Sequence, residues 1–144
     1  MTNRHGESIS LWFQEVSFPE FPTLKKDFRT DVCIVGAGLA GLSTAYLLQK
    51  EGKRVCVLEA HEVGSGQSGK TTAHLTHALD DRFYNLEKYH GEERLKLAVS
   101  SHSEAMRKVE EIILTEHIDC DFKKVSGYLF SENDQNKDVL EKEL

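Results

Sequence analysis

Three glycines and one carboxylate carry the most chemistry in this chain of 144 residues. Gly36, Gly38 and Gly41 stand in the run Gly36-Ala37-Gly38-Leu39-Ala40-Gly41, directly after the apolar stretch Asp31-Val32-Cys33-Ile34-Val35. Glu59 closes a second apolar stretch, Arg54-Val55-Cys56-Val57-Leu58. Its separation from the last glycine is close to the roughly 20 residues found in dinucleotide-binding βαβ units. The chemistry this predicts is capture of the ADP half of a dinucleotide. Gly36 permits a tight turn, Gly38 lets a pyrophosphate approach the backbone, and Gly41 lets the next helix lie close to the sheet. The turn and the helix start, Ala37, Leu39 and Ala40 included, offer N–H groups and partial positive charge to phosphates. A carboxylate at position 59 accepts hydrogen bonds from ribose hydroxyls and repels a 2′-phosphate, which argues against NADP.

The second candidate element follows at once. Val63-Gly64-Ser65-Gly66-Gln67-Ser68-Gly69-Lys70-Thr71-Thr72 is a polar loop rich in Gly, Ser and Thr. Its backbone N–H groups and hydroxyls suit phosphate. Composition alone is equally compatible with a surface loop, and its place just after Glu59 favours the binding role. His74 and His77 are spaced to share a metal, but no carboxylate or thiol ligand stands in register with them, so no metal is expected. Cys33, Cys56 and Cys120 form no CxxC pair. Cys33 and Cys56 read as small buried core residues in a reducing compartment.

These groups need elements to hold them. Val32 to Val35 has the continuous apolar character of a parallel strand buried on both faces. A helix is predicted from about Leu39 to Glu51, with Leu39, Leu42, Ala45 and Leu48 on one face and Gly52 at its C-terminal cap. The chain then returns into strand near Arg54. A short helix is expected from Arg82 to about Tyr89, and a longer one from about Glu92 to His117. The longer one carries a stripe of Leu95, Ala98, His102, Ala105, Val109, Ile112 and Glu116, widened by Ile113. His102 reads as a satisfied boundary histidine, and Glu104, Lys108, Glu110 and Glu111 as a solvated face. Ile118 to Phe122 leads towards strand, and Val125-Ser126-Gly127-Tyr128-Leu129-Phe130 is rich in β formers. Residues from Asn133 are polar, and Val139 to Leu144 reads as helix. The first 30 residues hold both prolines and the aromatics Trp12, Phe13, Phe18, Phe21 and Phe28. They read as an arm that packs on a surface.

Composition narrows the partners. Apolar residues make up 39% of the chain and charged residues 29%, with a net charge of −6 and no basic block. That balance fits a single domain with a core and disfavours nucleic acid or an anionic membrane as the main partner. No apolar stretch is long enough to span a bilayer and the first ten residues lack a signal-peptide core, so a cytoplasmic location is expected.

Taken together, these residues resemble the FAD-dependent oxidoreductases of the D-amino-acid oxidase type, a family that includes glycine oxidase and sarcosine and dimethylglycine dehydrogenases. The stretch from Asp31 to Tyr46 is similar to that family's FAD-binding opening, Val57-Leu58-Glu59-Ala60 to its ribose-binding strand end, and Gly64 to His74 to a second phosphate loop reaching towards the flavin. Ser10-Leu11-Trp12, Phe21-Pro22-Thr23-Leu24, Lys70 to Thr76 and Ile118 to Phe122 resemble a bacterial subgroup that carries a Rieske [2Fe–2S] domain after the flavoprotein part. The ligand pairs of such a domain are absent from this sequence.

The resemblance implies FAD as cofactor and hydride transfer from a small amine or amino acid to the flavin. The implied cofactor residues are Gly36, Ala37, Gly38, Leu39, Ala40, Gly41, Glu59, Ala60, Gly66, Ser68, Thr71, Thr72 and His74. Thr72-Ala73-His74 resembles the setting of a histidine joined covalently to flavin in some relatives, with packing near the flavin as the alternative. Family members are more than twice as long and build their catalytic residues later in the chain, so no catalytic residue is assigned. The electron acceptor is left open. The expected fold is α/β: a Rossmann-like FAD/NAD(P)-binding βαβ domain, incomplete, with the start of an α+β substrate region. Residues 1–30 are expected as an N-terminal arm and 31–144 as the truncated N-terminal part of the oxidoreductase domain, inactive on its own. An NAD-binding dehydrogenase domain and a non-catalytic dinucleotide-binding fragment are the competing readings.

Overall fold

The computed structural model describes residues 10–14, 19–131 and 137–143. The chain divides into two compact units, with the division between Ala73 and His74.

The first unit is built on a parallel pair of strands, β1 (Val32–Val35) and β2 (Val55–Leu58), joined through helix α1 (Leu39–Lys50). The register sets Val32 against Val55, Cys33 against Cys56, Ile34 against Val57 and Val35 against Leu58. β-branched residues fill five of these eight positions, which suits a pleated ladder. Two glycines make the corners. Gly36, at φ +102°, turns the chain out of β1, and Gly52, at φ +77°, ends α1. Both angles disfavour residues with a Cβ.

The open ends of the two strands are tied by charge. Arg54 grips Asp31 through its guanidinium, at 2.8 Å to Oδ1 and 3.2 Å to Oδ2, and through its backbone N–H at 2.9 Å. Its carbonyl oxygen accepts from Thr30 Oγ1 at 2.6 Å and from the N–H groups of Asp31 and Val32. These bonds hold the Asp31 carboxyl down at about 2, the Arg54 side chain being the main cause.

Burial differs from the expectation in a consistent way. Val32 and Ile34 are half-buried, whereas Cys33 is exposed and Val35 is 85% exposed. A parallel strand is covered on both faces only when helices lie on both. Here α1 lies on the Ile34 face, and among the described residues no helix covers the other. Cys33 is therefore not a core residue, and Cys56 is only half-buried. In α1 the half-buried positions are Gly41, Ala45, Tyr46 and Leu48, while Leu39 and Leu42 point to solvent.

The second unit is helical: α2 (Phe83–His90), α3 (Glu92–Thr115) and α4 (Lys137–Glu143). Glu143 Oε1 accepts from the N–H of Phe83 at 3.1 Å, placing a carboxylate at the positive start of α2. The stripe on α3 is displaced from the expected one. Its half-buried residues are Leu95, Ala98, Val99, Ser103, Met106, Val109, Glu110, Ile112 and Ile113, and His102, Ala105 and Glu116 are exposed. The expected stripe repeats every 3.5 residues, but a straight helix repeats every 3.6 and drifts by about 20° per heptad. The drift carries Glu110 off the solvated face, where it pairs with Lys124 at 2.7 Å. Residues 118–130 contain no strand. The polar stretch from Asn133 to Asn136 and the terminal Leu144 lie outside the described residues.

Candidate functional site: a glycine-rich turn closed by Glu59 and Ser68

Among the described residues only Ala37, at 2% exposure, and Gly69 are buried. Neither sits in an apolar core. Both belong to the cluster formed by the glycine-rich turn and the loop after β2.

Gly36 begins this cluster, donating its N–H to the Leu58 carbonyl at 2.7 Å, so the turn leaves β1 still attached to β2. Ala37 is held from both sides. Its N–H donates to Glu59 Oε2 at 2.7 Å, and its carbonyl accepts from the N–H of Gly64 at 3.0 Å. Glu59 Oε1 accepts from the N–H of His61 at 3.0 Å. Hydrogen bonds to the ionised form favour that form. The Ala37 N–H, and then that of His61, therefore hold the Glu59 carboxyl below its ordinary value. Glu59 remains exposed, and each oxygen keeps a lone-pair direction for a further donor. Ala60 follows it at the surface.

Gly38 is the extended residue just before α1. A Cβ there would stand 3.1 Å from Ser68 Oγ. Ser68 comes from the 3-10 turn Gln67–Lys70, which Gly66 precedes, and its hydroxyl oxygen accepts from the N–H of Leu39 at 2.8 Å. A residue from the second loop thus caps the first helix. Ala40 and Gly41 complete the first turn, where a helix supplies no acceptor of its own for their N–H groups. Gly41 has no space for a side chain, since a Cβ would fall on the Gly36 carbonyl oxygen and 3.4 Å from Ile34 Cγ2. This is the close approach of helix and strand that its place in the motif predicts.

The loop beyond is held differently. Thr71 Oγ1 accepts from the N–H of Ala73 at 3.3 Å, and the Thr71 carbonyl accepts from Trp12 Nε1 at 2.8 Å. Thr72 is exposed. His74 opens the second unit and is exposed there. The first unit therefore brings Glu59 and Ser68 to the turn from Gly36 to Gly41, with Ala60 and Gly66 beside them in sequence, whereas the hydrogen bonds of Thr71 run to Trp12 and Ala73 and Thr72 is exposed. The sequence reasoning missed two tethers of this cluster, Gly64 on Ala37 and Trp12 on Thr71, and the Asp31–Arg54 pair at the opposite end of the strands. Only the last left a local signal, opposite charges at the first positions of two apolar runs.

A parallel βαβ unit with a glycine turn, an ionised carboxylate after the second strand and a hydroxyl-bearing loop at the helix start defines a dinucleotide-binding protein. Residues 31–144 match the family described as FAD dependent oxidoreductase, DAO. The chain belongs to this family, whose cofactor is FAD. It is 32% identical over 137 residues to YhfW of Bacillus subtilis, a protein named for a Rieske 2Fe-2S iron–sulfur centre, covering 93% of this chain and 27% of that one. It is 32% identical over 126 residues to the gamma-glutamylputrescine oxidoreductase of Escherichia coli, covering 88% of this chain and 29% of that one. Over 61 residues it is 43% identical to an L-amino-acid oxidase of Bothrops jararacussu, covering 38% of this chain and 12% of that one. The chain thus spans under a third of the length of these relatives. No solved structure matches it. No helix among the described residues is long and apolar enough to cross a membrane.

Proposed function

We propose that this chain holds the ADP half of FAD for an oxidoreductase that acts on a small amine or amino acid. The observation that carries the reading is the double closure of the glycine turn, by Glu59 on Ala37 and by Ser68 on Leu39. In this reading Gly38, Ala40 and Gly41 turn their N–H groups to the pyrophosphate at the start of α1, while Gly36, Ala37 and Leu39, whose N–H groups bind Leu58, Glu59 and Ser68, shape the turn that receives it. Glu59, with Ala60 beside it, takes the adenosine ribose. Gly66, Ser68, Thr71 and Thr72 turn N–H and hydroxyl groups towards the phosphates and the ribityl chain. The fit is electrostatic as well as steric: an anionic acceptor stands where hydroxyls arrive, and helix-start donors stand where phosphates arrive. The role of His74 rests on its likeness to family members alone.

Bound FAD would supply an acceptor for a hydride. The chain's own part is to fix where the cofactor lies. The amine or amino-acid substrate is supported by the names of two relatives, the gamma-glutamylputrescine oxidoreductase and the L-amino-acid oxidase. A cytoplasmic location and an arm-plus-oxidoreductase division at residue 30 belong to the same proposal.

Titration of the purified chain with FAD, ADP and NAD tests the reading. Binding of FAD and ADP at one shared site is expected, with NAD weaker. A preference for NAD would overturn it in favour of a dehydrogenase domain, and absence of all binding would favour a scaffold role. Acid precipitation of FAD-loaded protein decides His74: flavin in the supernatant means packing, and flavin retained in the pellet means a covalent bond.

A further inference from the structure

The second loop carries Ser68 to the start of α1, yet it has little structure of its own beyond the 3-10 turn Gln67–Lys70. What holds it comes from far away in sequence. Residues 11–13 form another 3-10 turn, capped by Ser10, whose Oγ accepts from the N–H of Trp12 at 3.3 Å. Trp12 Nε1 then donates to the Thr71 carbonyl at 2.8 Å, at one end of the loop's turn. Phe13 lies over Gly69 in the middle of it. A Cβ on Gly69 would run into the Phe13 ring and would stand 2.6 Å from the Gly64 carbonyl oxygen. Gly69 is one of only two buried residues among those described, so the ring seals it.

We propose that Trp12 and Phe13 are positioning residues: the N-terminal arm clamps the Gln67–Thr71 loop in the form that sets Ser68 on the α1 N-terminus, and so tunes FAD affinity from outside the cofactor site. The proposal rests on the FAD reading above. Neither side chain is placed against the cofactor, and both act through the loop. The hydrogen bond fixes the loop's end and the ring fixes its middle, so the two contacts together define its orientation.

The test uses the full chain and its Trp12→Phe and Phe13→Ala variants, with Phe13→Leu as the conservative replacement. Limited trypsin digestion followed by mass spectrometry reads loop order directly, because Lys70 lies in the clamped turn and is exposed. Lys96 and Lys108 on α3 serve as internal controls in the other unit. Trp12 is the sole tryptophan, so its emission reports arm docking and should respond to FAD. We expect faster cleavage after Lys70 in Trp12→Phe and Phe13→Ala, unchanged cleavage at Lys96 and Lys108, and partial rescue by Phe13→Leu. FAD should bind about three- to tenfold more weakly to Trp12→Phe, the effect of losing one neutral hydrogen bond. Unchanged cleavage after Lys70 would overturn the clamp. Equal acceleration at all three lysines would reduce the arm to general structural cover. Faster cleavage with unchanged FAD affinity would overturn the link to the cofactor. If the unmodified chain binds no FAD, the cofactor reading fails, and cleavage after Lys70 decides the clamp independently.

Discussion

The backbone N–H of Ala37 donates to Glu59 Oε2 at 2.7 Å, joining the tip of the glycine turn to the end of β2 across 22 positions of sequence. One carboxylate therefore shapes the turn and, in the proposed function, also presents charge to a ribose. The substitution Glu59→Ala should separate from Glu59→Gln on this account. Alanine leaves the N–H of a residue only 2% exposed without its acceptor, at a cost of about 1–3 kcal/mol in stability. It should also weaken FAD binding about tenfold or more. Glutamine keeps an acceptor oxygen and should recover stability more fully than affinity. Denaturant unfolding and FAD titration of both variants check the split, and equal affinity in all three proteins would remove Glu59 from the ribose site.

Gly38 and Gly41 should fail in different ways. At Gly41 a Cβ meets the Gly36 carbonyl oxygen, backbone against backbone, with no side chain free to yield. Overpacking of this kind costs about 1–3 kcal/mol, against a helix-propensity gain for alanine of about 1 kcal/mol. We expect Gly41→Ala to be destabilised overall. At Gly38 the neighbour is the Ser68 hydroxyl, the end of a short side chain that can turn aside. Gly38→Ala should keep its fold and bind FAD less tightly, and Gly38→Val should fold and bind none. Thermal melts and FAD titration read the two outcomes separately.

Acid should reach the strand clamp late. The Asp31 carboxyl is held at about 2 in the folded chain, against an ordinary value of 3.8. A lowered value means that the folded form binds its proton less readily than the unfolded form does. The stability it contributes is therefore present above 3.8 and disappears as the pH falls towards 2. Asp31→Asn should flatten the stability–pH curve in that window and leave its shape near neutrality unchanged. The pair is exposed, so the effect should be modest and should shrink in high salt. Stability measured at several acid pH values, with and without added salt, provides the check.

Val125, Tyr128 and Phe130 are exposed at 84%, 85% and 81% respectively. Close-set apolar side chains in the open favour association. The chain should self-associate with rising concentration, and the double substitution Val125→Lys and Phe130→Lys should restore a monomer. Light scattering over a concentration series measures this, and equal association of the two proteins would place the contact elsewhere.

The βαβ unit was legible because its signals are local. Gly36 and Gly52 mark corners that residues with a Cβ disfavour, and the apolar runs between them have strand and helix lengths. Glu59 was legible for the same reason, since its spacing from the glycines is a property of one short segment. Burial was not legible, because it depends on what covers a face. Cys33 and Val35 have the composition of core residues, yet among the described residues no helix lies on their side of the ladder. The α3 stripe failed by geometry, as a repeat of 3.5 read along the chain is not the 3.6 of a straight helix. Val125 to Phe130 has strand composition but forms no strand, and pairing is a property of two segments. The bond from Trp12 to Thr71 spans 59 positions and leaves no mark in either segment.

Those spans also imply an order of assembly. The two contacts that close the cradle join residues 22 and 29 positions apart. Closing a loop costs entropy that rises only slowly with length, about 0.6 kcal/mol per doubling, and short loops also close sooner. On the ribosome, every partner in the double closure is present once Ser68 has emerged, before any of the second unit emerges. The arm emerges before the loop, and its contact with Thr71 must wait for that loop. Synthesis thus delivers the clamp early and engages it last, when the turn between β1 and α1 can already have formed.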